Sequence, residues 1–168
     1  MSRIVGDRLR VNIGRKPEEE QIVDLRQLFN ENPNRVIVVA GSVSADGAPN
    51  TCPVTLIYAK DDQTLLVGLL RNSNTSANLK QNGRVVLQII GPQDLVMGIA
   101  GFIRLIKDPM ECSPAMAIWE MQVEKVKQDT SPAQRVIQGP AAEYRSEKSE
   151  AFGQAAFAEL QAVAHSGS

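Results

Sequence analysis

Histidine is almost missing from this chain of 168 residues: the only one is His165, in the closing stretch HSGS. A histidine-built metal centre and a Ser–His nucleophile pair are thereby nearly excluded. Cysteine is scarce too. Cys52 and Cys112 are too few for a disulfide framework and read as reduced thiols, which points to a cytoplasmic protein. No run of about 18 apolar residues occurs, so nothing in the sequence is expected to span a membrane. The opening MSRIVGDRLR lacks the apolar segment of a signal peptide. The formal net charge is only -1, so no overall field would draw the chain to nucleic acid. Internal repeats and low-complexity segments are absent as well.

What is present suits a single domain over 1–168 with a substantial core. After a polar, irregular start, a helical lead-in is expected over 17–31. Pro17 suits a first turn, three glutamates complement the helix dipole, and Ile22, Leu25, Leu28 and Phe29 recur at helical spacing. Asn32-Pro33 stops it. Short apolar segments with tight turn signals follow: RVIVVAGSV, then Asp46-Gly47, then NTCPVTLIYA, KDDQ and TLLVGLL. RVVLQII, GPQD and LVMGIAGFIRLI continue the series. Pro53 inside its segment implies a sheet edge or a bulge, and Gly98 and Gly101 mark a bulge, a bend or a close approach. The segment around Trp119 fits a helix through Met116, Trp119, Val123 and Val126. Its alternation from Trp119 to Glu124 fits a strand, and the strand is preferred. A C-terminal helix is expected over about 147–164, with Phe152, Ala156, Leu160 and Val163 on one face. The pattern is that of an antiparallel barrel or sandwich with flanking helices.

The stretch LLRNSNTSANLKQNGRVV stands out. A buried strand ends, and Arg71, Asn72, Ser73, Asn74 and Thr75 follow at once. Ser73 or Asn74 can cap a short helix from Thr75 to Asn82, and Asn82-Gly83 can end it. A helix N-terminus offers unpaired amides and a positive dipole end, and the hydroxyls, amide and guanidinium gathered here would suit a phosphate monoester. The ordinary alternative is capping chemistry alone, since Asn, Ser and Thr dominate such loops. Lys80 is expected in solvent, and Asn78 and Leu79 fix the helix to the barrel.

Other groups carry less. Asp61-Asp62 and Lys107-Asp108-Pro109 read as turns, Glu18 to Glu20 as a solvated first turn, Cys52 as a small buried hydrophobe, and Trp119 as core or interface. No acid or base stands out as catalytic, and no metal site is expected.

The order of motifs resembles the FMN-binding split-barrel, or pyridoxamine 5'-phosphate oxidase-like, family. The matching parts are the D-G-x-P turn, C-P-V-T on the next strand, D-D-x-T-L-L-V, N-T-S-A-N-L-K and N-G-R-V-V-L, followed by GIAGFIRLI and WEMQVEKVK. The likeness spans about residues 35–129. It implies a mainly β fold, a six-stranded antiparallel split β-barrel over that range, forming a homodimer with FMN between subunits. Carried across, it places Arg71, Asn72, Ser73, Asn74 and Thr75 at the FMN phosphate, and Pro53, Val54 and Thr55 along the ring. This chain departs from the vitamin oxidases. They carry basic residues where it has Asn74 and Thr75, and their substrate-binding Arg and His near the C-terminus have no counterpart.

The resulting expectation is an FMN-binding flavoprotein, an oxidoreductase taking a small-molecule substrate or a nicotinamide reductant. The alternatives are a non-catalytic electron carrier or flavin sensor, a split barrel holding a deazaflavin, and a barrel without cofactor. The lack of an in-domain histidine speaks against His-ligated haem. Sheet segments apolar on both faces call for a homodimer partner, with Phe102 and Ile99 expected on the face that meets it.

Overall fold

The computed structural model describes residues 3–4, 9–12 and 20–166, with side chains from Val23 onward. β1 (Arg3–Ile4), β2 (Leu9–Asn12) and β3 (Glu20–Val23) form a small antiparallel sheet in that order. The helix expected over 17–31 is therefore much shorter. Residues 17–19 lie outside the described residues, and Glu20–Val23 is extended because it pairs with β2. The helix is α1 (Leu25–Asn30), started by Asp24, whose carboxylate accepts from the Gln27 amide at 3.0 Å. Tertiary pairing has overridden the helical spacing of the preceding turn.

Seven strands build the main sheet: β4 (Val38–Val43), β5 (Pro49–Val54), β6 (Ile57–Ala59), β7 (Thr64–Leu70), β8 (Arg84–Ile90), β9 (Val96–Lys107) and β10 (Met116–Gln128). Their order is β5-β4-β8-β9-β10-β7-β6, antiparallel throughout. The two edge strands are consecutive in sequence, joined only by Thr55 and Leu56. This short link forces the sheet to curl until its ends meet, giving a split barrel. The link also explains why seven strands stand where six were expected. NTCPVTLIYA is two strands: β5 stays paired with β4 through Pro53 to Val54, and the chain then crosses to the other edge, where Leu56 O accepts from Gly68 N at 2.9 Å.

Side chains alternate across the sheet. Val38, Ala40, Leu87, Ile89, Ile99, Ile103, Trp119 and Met121 fill the barrel, and each large one contributes roughly 1.5–3 kcal/mol by leaving water. Trp119 lies on β10 opposite Val67 and Leu105, in line with the alternation of its segment. Ile99 belongs to this interior and not to the outer face where it was expected; Phe102 is on that outer face, 43% exposed. The cause is the period of two: Ile99, Gly101 and Ile103 face inward, so Phe102, an odd number of residues from Ile99, must face out. A Cβ on Gly101 would stand 2.1 Å from Gln122 O, so this glycine serves the chain's own sheet.

α2 (Asn74–Asn82) follows β7, and α3 (Glu147–Ser166) closes the chain. α3 lays Ala156, Leu160 and Ala164 on Leu56, Tyr58, Leu66, Met110 and Ile118, covering the outside of β6, β7 and β10. Among the described residues nothing comparable covers the outside of β4, β8 and β9, and Val39, Val43, Val86, Ile90 and Phe102 are exposed there. Among the described residues no helix is long and apolar enough to cross a membrane.

Candidate functional site

The turn from β7 into α2 shows how the polar stretch is used. Ser73 is the N-cap, with extended backbone, and its Oγ accepts from the Ser76 amide at 3.1 Å. The hydroxyls of Ser73 and Ser76 both donate to Leu70 O, at 2.9 and 2.7 Å. Gly83 ends the helix at φ 64°, a conformation that favours glycine, and its amide donates to Leu79 O at 3.0 Å. As the first two residues of α2, Asn74 and Thr75 keep amides without an intrahelical acceptor.

Beneath the first turn runs a polar seam joining α2 to β4 and β5. Thr75, only 2% exposed, donates its hydroxyl to Cys52 Sγ at 3.1 Å and accepts from Asn50 Nδ2 at 3.0 Å. Asn50 and Asn78 both donate to Ser42 Oγ, at 3.3 and 3.1 Å. Each hydroxyl thus has a partner, as buried polar groups require.

Pro53, Val54 and Thr55 meet Ser73 in one cleft. With Cys52, Leu56, Gly68, Leu69, Leu70 and Met116 they enclose about 230 Å³. Among the described residues β5 pairs with β4 alone, so its other edge, at Pro53, is open. The Val54 side chain itself belongs to the barrel interior. Asn72 and Asn74, on either side of Ser73, are exposed.

Three of the expected phosphate contacts are directed elsewhere, Ser73 because its hydroxyl proton goes to Leu70 O. Thr75 is sunk in the seam. Arg71 turns to the connection between β9 and β10: its Nε forms an ion pair with Asp108, and its Nη1 donates to Pro114 O at 2.9 Å. Lys80 lies 4.0 Å from the other Asp108 oxygen. Sequence reading missed Asp108 as a partner of the loop, because an Asp-Pro pair between two strands carries only a turn signal.

That connection is held from behind by α3. Glu159 accepts from the amides of Glu111 and Cys112 at 2.8 and 2.9 Å and pairs with Lys107 at 2.9 Å. Burial alone would raise the Glu159 carboxyl. The Cys112 amide, Lys107 and the Glu111 amide outweigh it and bring the group down to about 2. The Cys112 thiol goes the other way, up to about 11, first through burial and then through the Glu159 carboxylate beside it.

Two further hollows lie apart from the loop. One of about 490 Å³, lined in part by Leu28, Arg35, Val36, Leu95 and Ile137, sits near the turn between β8 and β9. A shallow groove of about 420 Å³ runs over the bare outer face past Gly41, Val43, Thr51, Val86 and Ala100.

Residues 24–148 match the family model described as pyridoxamine 5'-phosphate oxidase. No curated protein is similar enough to the chain to serve as a relative. Among solved structures, HupZ from Group A Streptococcus is 18% identical, with 70% of this chain and 95% of that chain covered and a TM-score of 0.53. An F420 reductase is 14% identical over 60% of this chain and 97% of its own, with a TM-score of 0.50. At such identities the likeness concerns the fold.

Proposed function

The chain belongs to the pyridoxamine 5'-phosphate oxidase family, and from that premise we propose that it binds a flavin, FMN, in the cleft between β5 and the start of α2 and serves as an oxidoreductase. The observation that carries this reading is the cleft itself. The open edge of β5 at Pro53, with Thr55 in the link just beyond it, faces an apolar wall from Leu69, Leu70 and Met116, and Ser73, the cap of α2, lines the same space. A flat ring finds apolar contact there, with backbone groups along its edge. The helix start offers its phosphate the amides of Asn74 and Thr75 and the side chains of Asn72 and Asn74.

A bound flavin supplies the hydride or electron transfer, and the chain's own residues bind and orient it. Pro53 keeps the edge of β5 free of a competing donor. The Thr75–Cys52 bond fixes the helix start against that strand.

The volume of about 230 Å³ is small beside the roughly 300–1,000 Å³ usual for ligand pockets. A second copy of the chain, seated on the bare outer face of β4, β8 and β9, would complete it. Val43, Val86 and Phe102 would then be buried, as their exposure in one chain invites.

The visible spectrum of the purified protein, with mass spectrometry of what it releases on denaturation, tests the reading. A flavin spectrum and the mass of FMN support it. A released deazaflavin replaces FMN by the kind of cofactor that the F420 reductase's name implies. A colourless protein that takes up no added flavin contradicts it. Bleaching of the bound flavin by NADH or NADPH with turnover separates an oxidoreductase from an electron carrier.

A further inference from the structure

We propose that Asp108 governs how strongly this site holds a phosphate, by competing with it for Arg71; the inference rests on the flavin reading above. Arg71 lies in the link between β7 and α2, three residues before the helix begins, and it is the cation nearest in sequence to the free amides. In the structure its charge is already engaged. Asp108 sets one carboxylate oxygen against Arg71 Nε and the other 4.0 Å from Lys80. Pro114 O takes a further Arg71 proton at 2.9 Å, and Ala115 O takes the Arg71 amide at 2.9 Å. The two cations and the carboxylate leave one net positive charge beside a site meant for a dianion.

Asp108 is also held in place. Its connection is fastened to α3 by Glu159, through the Glu111 and Cys112 amides and Lys107. The carboxylate therefore stays beside α2 as a fixed counter-ion. Arg71 can serve a phosphate only by sharing or leaving Asp108, and that requirement weakens the grip on FMN. Riboflavin, which lacks the phosphate, does not encounter the competition. Asp108 thus acts as a positioning residue that sets the preference between phosphorylated and plain flavin.

The test is a titration of the full-length protein with FMN and with riboflavin, read by flavin fluorescence quenching. Inorganic phosphate is titrated in parallel, read by phosphorus NMR line width. Asp108→Asn is expected to tighten FMN and inorganic phosphate by about tenfold, the effect of removing one nearby like-signed charge, and to leave riboflavin unchanged. Asp108→Glu should restore the wild-type ratio, and Arg71→Ala should abolish the gain from Asp108→Asn. Asp108→Ser carries the same expectation where the amide variant does not fold. An unchanged FMN-to-riboflavin ratio, or equal weakening of both, would overturn the proposal and leave Asp108 as a brace only. If the wild-type protein takes up neither flavin, the flavin reading fails on its own. The phosphate titration then decides, and no tightening in Asp108→Asn refutes the competition.

Discussion

The hydroxyl of Thr75 donates to the sulfur of Cys52 across 3.1 Å, tying the first turn of α2 to an edge strand of the barrel. The same hydroxyl oxygen accepts from Asn50. Removing it leaves a part-buried Asn50 amide hydrogen without its acceptor, at a cost of roughly 1–3 kcal/mol at most. Thr75→Val should lower the unfolding free energy by that amount, and Thr75→Ser should keep most of it. Chemical denaturation of both variants checks this. Equal stability of Thr75→Val and wild type would mean that the seam does not hold the helix.

Glu159 makes stability depend on pH. Its carboxyl sits at about 2 in the fold against an ordinary 4.5. A depressed carboxyl stabilises fully above its unfolded value, and that contribution is lost as pH falls from about 4.5 toward 2. Glu159→Gln should therefore cost roughly 1–3 kcal/mol at neutral pH, and the gap to wild type should close by the low end of that window. Unfolding curves for the two proteins at neutral pH and at pH near 3 measure it. A gap that stays constant between these conditions would show that Glu159 acts by packing alone.

Cys112 should be a sluggish thiol. With its pKa at about 11, little thiolate exists at neutral pH, and the thiolate is the nucleophile. Alkylation by iodoacetamide, followed by peptide mass spectrometry, should label Cys112 slowly. The rate should climb about tenfold per pH unit up to that value. Glu159→Gln should speed it by removing the neighbouring charge. Fast labelling at neutral pH in the native protein would contradict the environment described.

Phe102 and Ile99 should separate assembly from folding. Phe102→Glu puts a charge on the bare outer face and is expected to give a folded monomer that retains flavin poorly. Ile99→Glu places a carboxylate in the barrel interior and should unfold the protein. Sedimentation with detection at the protein and flavin absorbances follows both. A Phe102→Glu monomer with full flavin would show that the cleft is complete within one chain.

Much of the barrel was legible because turn chemistry and alternation are local. Asp46-Gly47 turns the chain with Gly47 at φ 86°. Ser73 and Gly83 bracket α2, and the alternation after Trp119 marks a strand. Less legible was whatever depends on distant pairing. Val23 and its neighbours read as helix until β2 supplies a partner strand. Ile99 and Phe102 cannot share a face of one regular strand, and which of the two points inward depends on the register with β8 and β10. At the cleft, residue types pointed to the loop but not to how its groups are used. The stretch reads the same whether Thr75 faces a ligand or Cys52, and nothing near Arg71 in sequence announces Asp108.

The most direct measurement of the central claim is an equilibrium titration of FMN fluorescence against the wild-type protein and a cleft-filled variant, Thr55→Trp. Saturable quenching with one flavin per protomer in wild type, lost in Thr55→Trp, is the result expected of a flavin seated between β5 and α2. No saturable quenching, or the same quenching in both proteins, would contradict it.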